Sequence, residues 1–149
     1  MDLVELMNKA LADTFVMYLK AQSFHWNVEG ADFYEYHGLF GTIYNEVYGA
    51  VDPMAEQIRA LDGYAAGTLV RFQSLTSIKE TVTVPPARDM LHDLQTANAK
   101  VMETIKTVQQ HAERQGEIGL SNFLQDRYDA HAKHAWMIRA TLKTRSTDE

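Results

Sequence analysis

Apolar residues recur in this chain at steps of three and four, in four blocks each long enough to commit it to helix. In the first block Leu3, Met7, Ala10, Thr14, Met17 and Ala21 make the stripe, and Leu6, Leu11, Phe15 and Tyr18 widen it. Gly30 stops this helix, and Asp32 stands where it could cap the next. A second stripe runs Phe33, Tyr36, Phe40, Ile43, Val47, Val51, Met54, Ile58 and Leu61, ending at Gly63. Residues 64–86 are mixed, with a short helical piece around Arg71–Glu80 before Val82-Thr83-Val84-Pro85-Pro86. A third helix is expected from Ala87 to Arg114, broken by Gly116, and a fourth from Leu120 to Leu142. The pattern predicts an all-α four-helix bundle with two tight hairpins and one long crossover between the second and third helices. The 149 residues suit a single domain spanning 1–149.

Composition removes several function classes. Cysteine is absent, which excludes disulfides and thiolate metal sites and fits a reducing compartment. The segment Met1-Asp2-Leu3-Val4-Glu5 is acidic where a signal peptide is basic, and Asp13, Lys20 and their like interrupt every apolar run. The expectation is a soluble cytoplasmic protein with no membrane partner. The net charge of -6 disfavours DNA, because no basic face is available to displace counterions. The nearest basic cluster, Lys143-Thr144-Arg145, is followed by Asp148-Glu149. Cations are the partners this charge favours.

Four residues stand out by position. His25 lies near the end of the first helix and His37 near the start of the second, equidistant from residue 31. A hairpin reversing there sets them face to face, either as a ligand pair or as two histidines hydrogen-bonded at the core edge. Asp52 and Glu56 are four apart, on one face of the second helix, where a metal site and a solvated face are both open readings. His37 and Asp52 are separated by about 22 Å at the helical rise, too far for one ion to bridge within one helix. A two-fold axis near residues 44–45 removes the difficulty by laying two copies of this helix antiparallel. Two imidazoles and two carboxylates then meet, a mixed donor set suited to Fe(II), Mn(II) or Zn(II). Two other pairs are weaker. Asp89 and His92 open the third helix, where an acid simply suits the dipole. His131 and His134 have metal-compatible spacing, but the pattern fixes no acidic partner. Zinc-protease, Walker and dinucleotide-binding signatures are missing.

The segment His25-Trp26-Asn27-Val28-Glu29-Gly30, with Phe33, His37 and Asp52-Pro53-Met54-Ala55-Glu56-Gln57-Ile58, resembles the Dps family of miniferritins. The likeness extends through Leu61-Asp62-Gly63, the crossover and Lys133-His134-Ala135-Trp136-Met137. It implies ferritin-like topology and a homo-oligomeric shell, a dodecamer, with ferroxidase sites at its two-fold interfaces. Iron would be oxidised there from Fe(II) to Fe(III), by hydrogen peroxide in preference to dioxygen, and stored as ferric mineral. His25 and His37 would ligate from one subunit, Asp52 and Glu56 from its mate, and Trp26 would be a nearby electron donor. Glu117, Asn122 and Asp126 would line pores for iron entry, or serve only as residues suited to a helix start. The basic N-terminal tail that binds DNA in some relatives is expected to be absent.

The chain departs from the family pattern at two places. The family has an Asp four residues after the second His, and here that position is Gly41. Thr42, Asn45 and Glu46 do not replace it by simple spacing, so the second metal position is expected to be weak. Pro53 lies inside the second helix with Gly49 four residues before it, and is expected to kink the helix beside Asp52. The other reading is therefore a ferritin-like cage or metal buffer with weakened ferroxidase activity.

Overall fold

The computed structural model describes residues 2–143. The basic and acidic end expected over 144–149 lies outside the described residues. Among the described residues there are five helices and no strand: α1 (Leu3–Asn27), α2 (Phe33–Ala60), α3 (Leu69–Leu75), α4 (Ala87–Arg114) and α5 (Ile118–Leu142). Helices α1 and α2 form one hairpin, α4 and α5 the other, and α1 packs on α4 to join them. The short α3 rides on α1 within the crossover.

Asp2 and Glu5 build a capping box that starts α1, each side chain accepting from the other's backbone N–H at 2.9 and 3.1 Å. The expected stripe of α1 is buried from Leu3 to Ala21, and α2 contributes Phe40, Ile43, Val47, Met54 and Ile58. Leu91, Leu94, Ile105, Leu124 and Ile138 complete the core from α4 and α5. Each such side chain contributes roughly 1.5–3 kcal/mol by leaving water.

Several boundary expectations need correction. Asp32 occupies the N-cap position of α2, but its side chain makes no capping hydrogen bond. At the end of α2 the left-handed residue is Asp62, φ 64°, and not Gly63. Gly63 is required for a different reason, since a Cβ there would lie 2.5 Å from Val4 Cγ1. The crossover helix begins earlier than expected, because Thr68 caps it by accepting from Arg71 N–H at 3.3 Å. It ends at Leu75 because the next two residues turn their side chains to Asp13. α2 does not end at Pro53 but runs through it. Gly49 and Pro53 are both exposed, so water reaches the carbonyl that the proline cannot serve.

Two buried charges on α1 hold the crossover in place. Asp13 is fully buried and accepts from Thr76 Oγ1 (2.7 Å), Ser77 N–H (2.7 Å), Ser77 Oγ (2.9 Å) and Thr104 Oγ1 (2.7 Å). Lys20, two turns on, donates to Lys79 O (3.0 Å), Thr81 Oγ1 (3.1 Å) and Asp93 Oδ1 (2.8 Å). Removing one partner of such a cluster strands several buried donors, each costing about 1–3 kcal/mol. Asp13→Ala is therefore expected to destabilise the fold by about 3 kcal/mol or more, measured as a shift in urea midpoint. Asp89→Ala, at an exposed position, is the control expected to change little.

Candidate metal centre

The α1–α2 hairpin brings His25 and His37 into contact as their spacing implied. Their rings stack 3.7 Å apart, 17° from parallel. His25 Nδ1 lies 2.7 Å from His37 O, and His37 Nδ1 lies 2.6 Å from His25 O. A carbonyl only accepts, so each neutral ring carries its proton on Nδ1 and leaves the Nε2 lone pair for another partner. Phe33 stacks on the far side of His37 at 5.0 Å, and Tyr44 lies 5.1 Å from His25. Gly41 permits this packing: a Cβ there would sit 3.1 Å from His25 Cε1 and 3.2 Å from its Nδ1.

Asp52 and Glu56 lie on the exposed side of the other end of α2. A hydrogen bond shared with Asp52, and then Asp52's charge, raise the Glu56 carboxyl above its ordinary value. Arg59, one turn beyond Glu56, donates instead to Gly63 O at 2.7 Å and covers the Tyr64 ring at 4.8 Å. The structure does not bring this carboxylate pair to the histidines within one chain. Among the described residues, no group of three or more His, Asp or Glu side chains gathers closely enough to hold an ion.

The strip between the two ends is uncovered. Gly38, Thr42, Asn45, Gly49, Asp52 and Glu56 follow one another at helical steps, and all are exposed. Thr42 donates back to Gly38 O at 3.1 Å and Asn45 to Gly41 O at 2.8 Å, so both polar groups are occupied on their own helix. Trp26 is 63% exposed and pairs with no other aromatic ring among the described residues. Glu117, Asn122 and Asp126 are exposed at the α4–α5 turn and the first turns of α5, and Asp89 and His92 are exposed on α4.

Sequence reasoning missed a polar cluster inside the bundle. Glu46, facing away from the uncovered strip, accepts from Arg127 at 2.5 and 3.0 Å and pairs with His134 Nε2 at 2.8 Å. His131 Nδ1–H donates to Asn98 Oδ1 at 2.8 Å, and its Nε2 accepts from Arg127 at 3.2 Å. Both ring nitrogens of His131 are thus engaged, whereas His134 uses its Nε2 on Glu46 and keeps a buried Nδ1 without a partner. The signal was available: Leu120, Leu124, Arg127, His131, His134 and Ile138 share one stripe, with three polar residues at its centre. Partial burial alone would raise the Glu46 carboxyl. Hydrogen bonds from His134 and Arg127, with their charges, outweigh that and hold it far below the ordinary carboxylate range. Burial, reinforced by the charges of Arg127 and His134 against an opposing Glu46, lowers His131 from 6.5 to about 3.

The chain matches the family model of the ferritin-like domain over residues 4–146. It is 30% identical to DNA protection during starvation protein 2 of Bacillus anthracis, over 93% of this chain and 95% of that protein. It is equally similar to general stress protein 20U of Bacillus subtilis, over 94% and 97%. The crystal structure of Dps from Staphylococcus aureus superposes with a TM-score of 0.91 at 28% identity, covering 97% of both chains. Dps from Vibrio cholerae, described as one of the ferritin-like diiron-carboxylate proteins, superposes at 0.90 with 26% identity over 95% and 89%.

The buried neutral imidazole sets a pH dependence. Between pH 6.5 and about 3 the unfolded chain takes up a proton at His131 that the folded chain refuses. Stability from this residue is therefore complete above pH 6.5 and is lost as the pH falls toward 3. The depressed Glu46 carboxyl acts in the same direction, below its ordinary 4.5. Urea midpoints measured from pH 7 to pH 4 are expected to fall more steeply for the wild type than for His131→Gln.

Proposed function

For a chain that belongs to the Dps miniferritins of the ferritin-like family, we propose a ferroxidase subunit whose iron site is completed only between two copies. His25 and His37 of one copy and Asp52 and Glu56 of the other bind Fe(II) as substrate. Hydrogen peroxide, or dioxygen, oxidises it, and a hollow shell of twelve subunits stores the ferric product. Iron storage and DNA protection are the functions associated with the relatives, and the -6 charge favours iron chemistry over DNA contact as the route to protection.

One observation carries this reading. The α1–α2 hairpin presents two imidazoles, His25 from α1 and His37 from α2, with open Nε2 lone pairs at one end of α2, and a carboxylate pair stands at the other end of the same helix. The strip between them is left bare by the chain's own fold. The backbone carbonyls of residues 25 and 37 fix both ring tautomers, as partners behind a metal-binding imidazole do. Oxidation adds one positive charge to the ion, and the anionic Asp52 and Glu56 favour that product. Glu117, Asn122 and Asp126 belong to the proposed entry route, and Trp26 is a candidate electron donor beside His25.

Gly41 supports a second reading, a cage or buffer with weakened oxidation. The three residues nearest in position to a missing acid are all committed: Thr42 and Asn45 to backbone carbonyls, Glu46 to Arg127 and His134. His37, Asp52 and Glu56 suffice for one well-held ion, and His25 with water offers a second ion little charge.

An anaerobic Fe(II) titration followed by peroxide tests both readings. The wild type is expected to hold one ion per subunit tightly and to oxidise it on adding peroxide. Gly41→Asp is expected to add a second ion and a faster rate, even though its Cβ obliges the His25 ring to yield by a few tenths of an ångström. Gly41→Ala carries the same Cβ without the anion, and is expected to stay at one ion. Two equal ions in the wild type, unchanged by Gly41→Asp, would mean that an unidentified residue completes the site. Tight binding without peroxide-driven oxidation would favour the buffer.

A further inference from the structure

Breaking the O–O bond of hydrogen peroxide to water and hydroxide takes two electrons, and one Fe(II) supplies one. With a single ion in place, the second electron must come from the protein or a hydroxyl radical is released. This gives significance to an aromatic group that the preceding reading leaves unused. Tyr44 on α2 lies 5.1 Å from the His25 ring, centroid to centroid. Tyr18 on α1 lies 6.3 Å from Tyr44 and 4.8 Å from Tyr48. The line therefore runs from His37, a ligand of the single ion, through the His25 ring stacked on it at 3.7 Å, to three phenols, with Tyr18 and Tyr44 half-buried and Tyr48 57% exposed. Tyr18 is anchored by donating its hydroxyl hydrogen to Gln22 Oε1 at 2.6 Å.

The geometry points to Tyr44, continued by Tyr18 and Tyr48, as the built-in one-electron donor that completes peroxide reduction at a singly occupied iron site. The inference rests on the ferroxidase reading above and moves the donor role from Trp26, which is 63% exposed and pairs with no aromatic ring among the described residues, to Tyr44. The step balances as Fe2+ + H2O2 + TyrOH → Fe3+ + TyrO• + OH− + H2O. Iron and the phenol each lose one electron, the O–O bond takes both, and the phenolic proton turns one of the two hydroxides into water. The exposed Tyr48 gives a reductant in solution a place to return the electron. Aromatic rings at these spacings also pack well, and packing alone would account for them without any redox role. Tyr→Phe substitutions separate the two explanations, because they keep the ring and remove the oxidisable O–H.

The test is freeze-quench electron paramagnetic resonance on the assembled protein, loaded anaerobically with one Fe(II) per subunit and mixed with hydrogen peroxide. Iron oxidised per peroxide consumed is measured on the same samples. The wild type is expected to give a tyrosyl radical and a ratio nearer one than two. Tyr44→Phe is expected to lower the radical yield severalfold while Fe(II) is still oxidised. Tyr18→Phe and Tyr48→Phe are expected to change the line shape or lifetime of the signal. Iron oxidation with a ratio of two and no tyrosyl signal would overturn the inference and leave the ferroxidase reading intact. A signal unchanged in all three variants, or a tryptophanyl signal abolished by Trp26→Phe, would also overturn it. Failure to oxidise iron at all would remove both, and so mark the failure of the underlying site.

Discussion

An α-helix advances by a fixed rise per residue, and that rise keeps His37 about 22 Å from Asp52. The rest of the proposed site follows from this constraint. Because α2 continues through Pro53, the two donor groups stay at opposite ends of one rod. The other helices bury the side of the rod that carries Phe40, Ile43, Val47 and Met54, and they leave the donor side bare. Glu46 strengthens that orientation from within, since its bidentate contact with Arg127 and its bond to His134 tie α2 to α5. Rotating α2 to turn the carboxylates inward would break this half-exposed ion pair and leave the buried Arg127 guanidinium uncompensated. A second copy of the same rod, turned end for end, is the simplest partner with the right chemistry at the right spacing.

Gly41 has two consequences that oppose one another. It removes a carboxylate from the place where the family pattern supplies one, and it gives His25 room to lie flat on His37. The reciprocal bonds from each Nδ1 to the other residue's carbonyl depend on that close approach. An ordered pair of imidazoles and a full anion count are thus in competition at one residue. Under the proposed ferroxidase reading, the missing anion is what limits the site to one well-held iron.

Much of this was legible in the sequence, for reasons that can be traced to particular residues. The stripe from Leu3 to Ala21 sets the inward face of α1, and the Gly30 and Gly116 breaks set the two hairpins. Equal spacing of residues 25 and 37 from residue 31 gave the histidine contact. What escaped were polar groups whose partners are remote in sequence. Asp13 registered as an interruption of an apolar run, yet it receives the crossover from residues 76 and 77. Glu46 does not replace the missing acid by spacing, and its turn of α2 is the one that meets Arg127. Such pairs carry no local periodicity, and only the packing of α2 against α5 reveals them. The left-handed Asp62 beside Gly63 was missed because the constraint on Gly63 comes from Val4, far away along the chain.

The claim that two chains build each iron site is tested most directly by complementation. One chain carries His25→Ala and His37→Ala, and the other carries Asp52→Ala and Glu56→Ala. Each is expected to be inactive alone. Co-expressed with different tags and purified as mixed oligomers, they pair intact carboxylates of the first with intact histidines of the second. Random pairing about the two-fold restores about a quarter of the wild-type sites, so peroxide-driven Fe(II) oxidation should return to about that fraction. Mixed oligomers as inactive as either parent would contradict the account, because every site would then draw all its ligands from one chain.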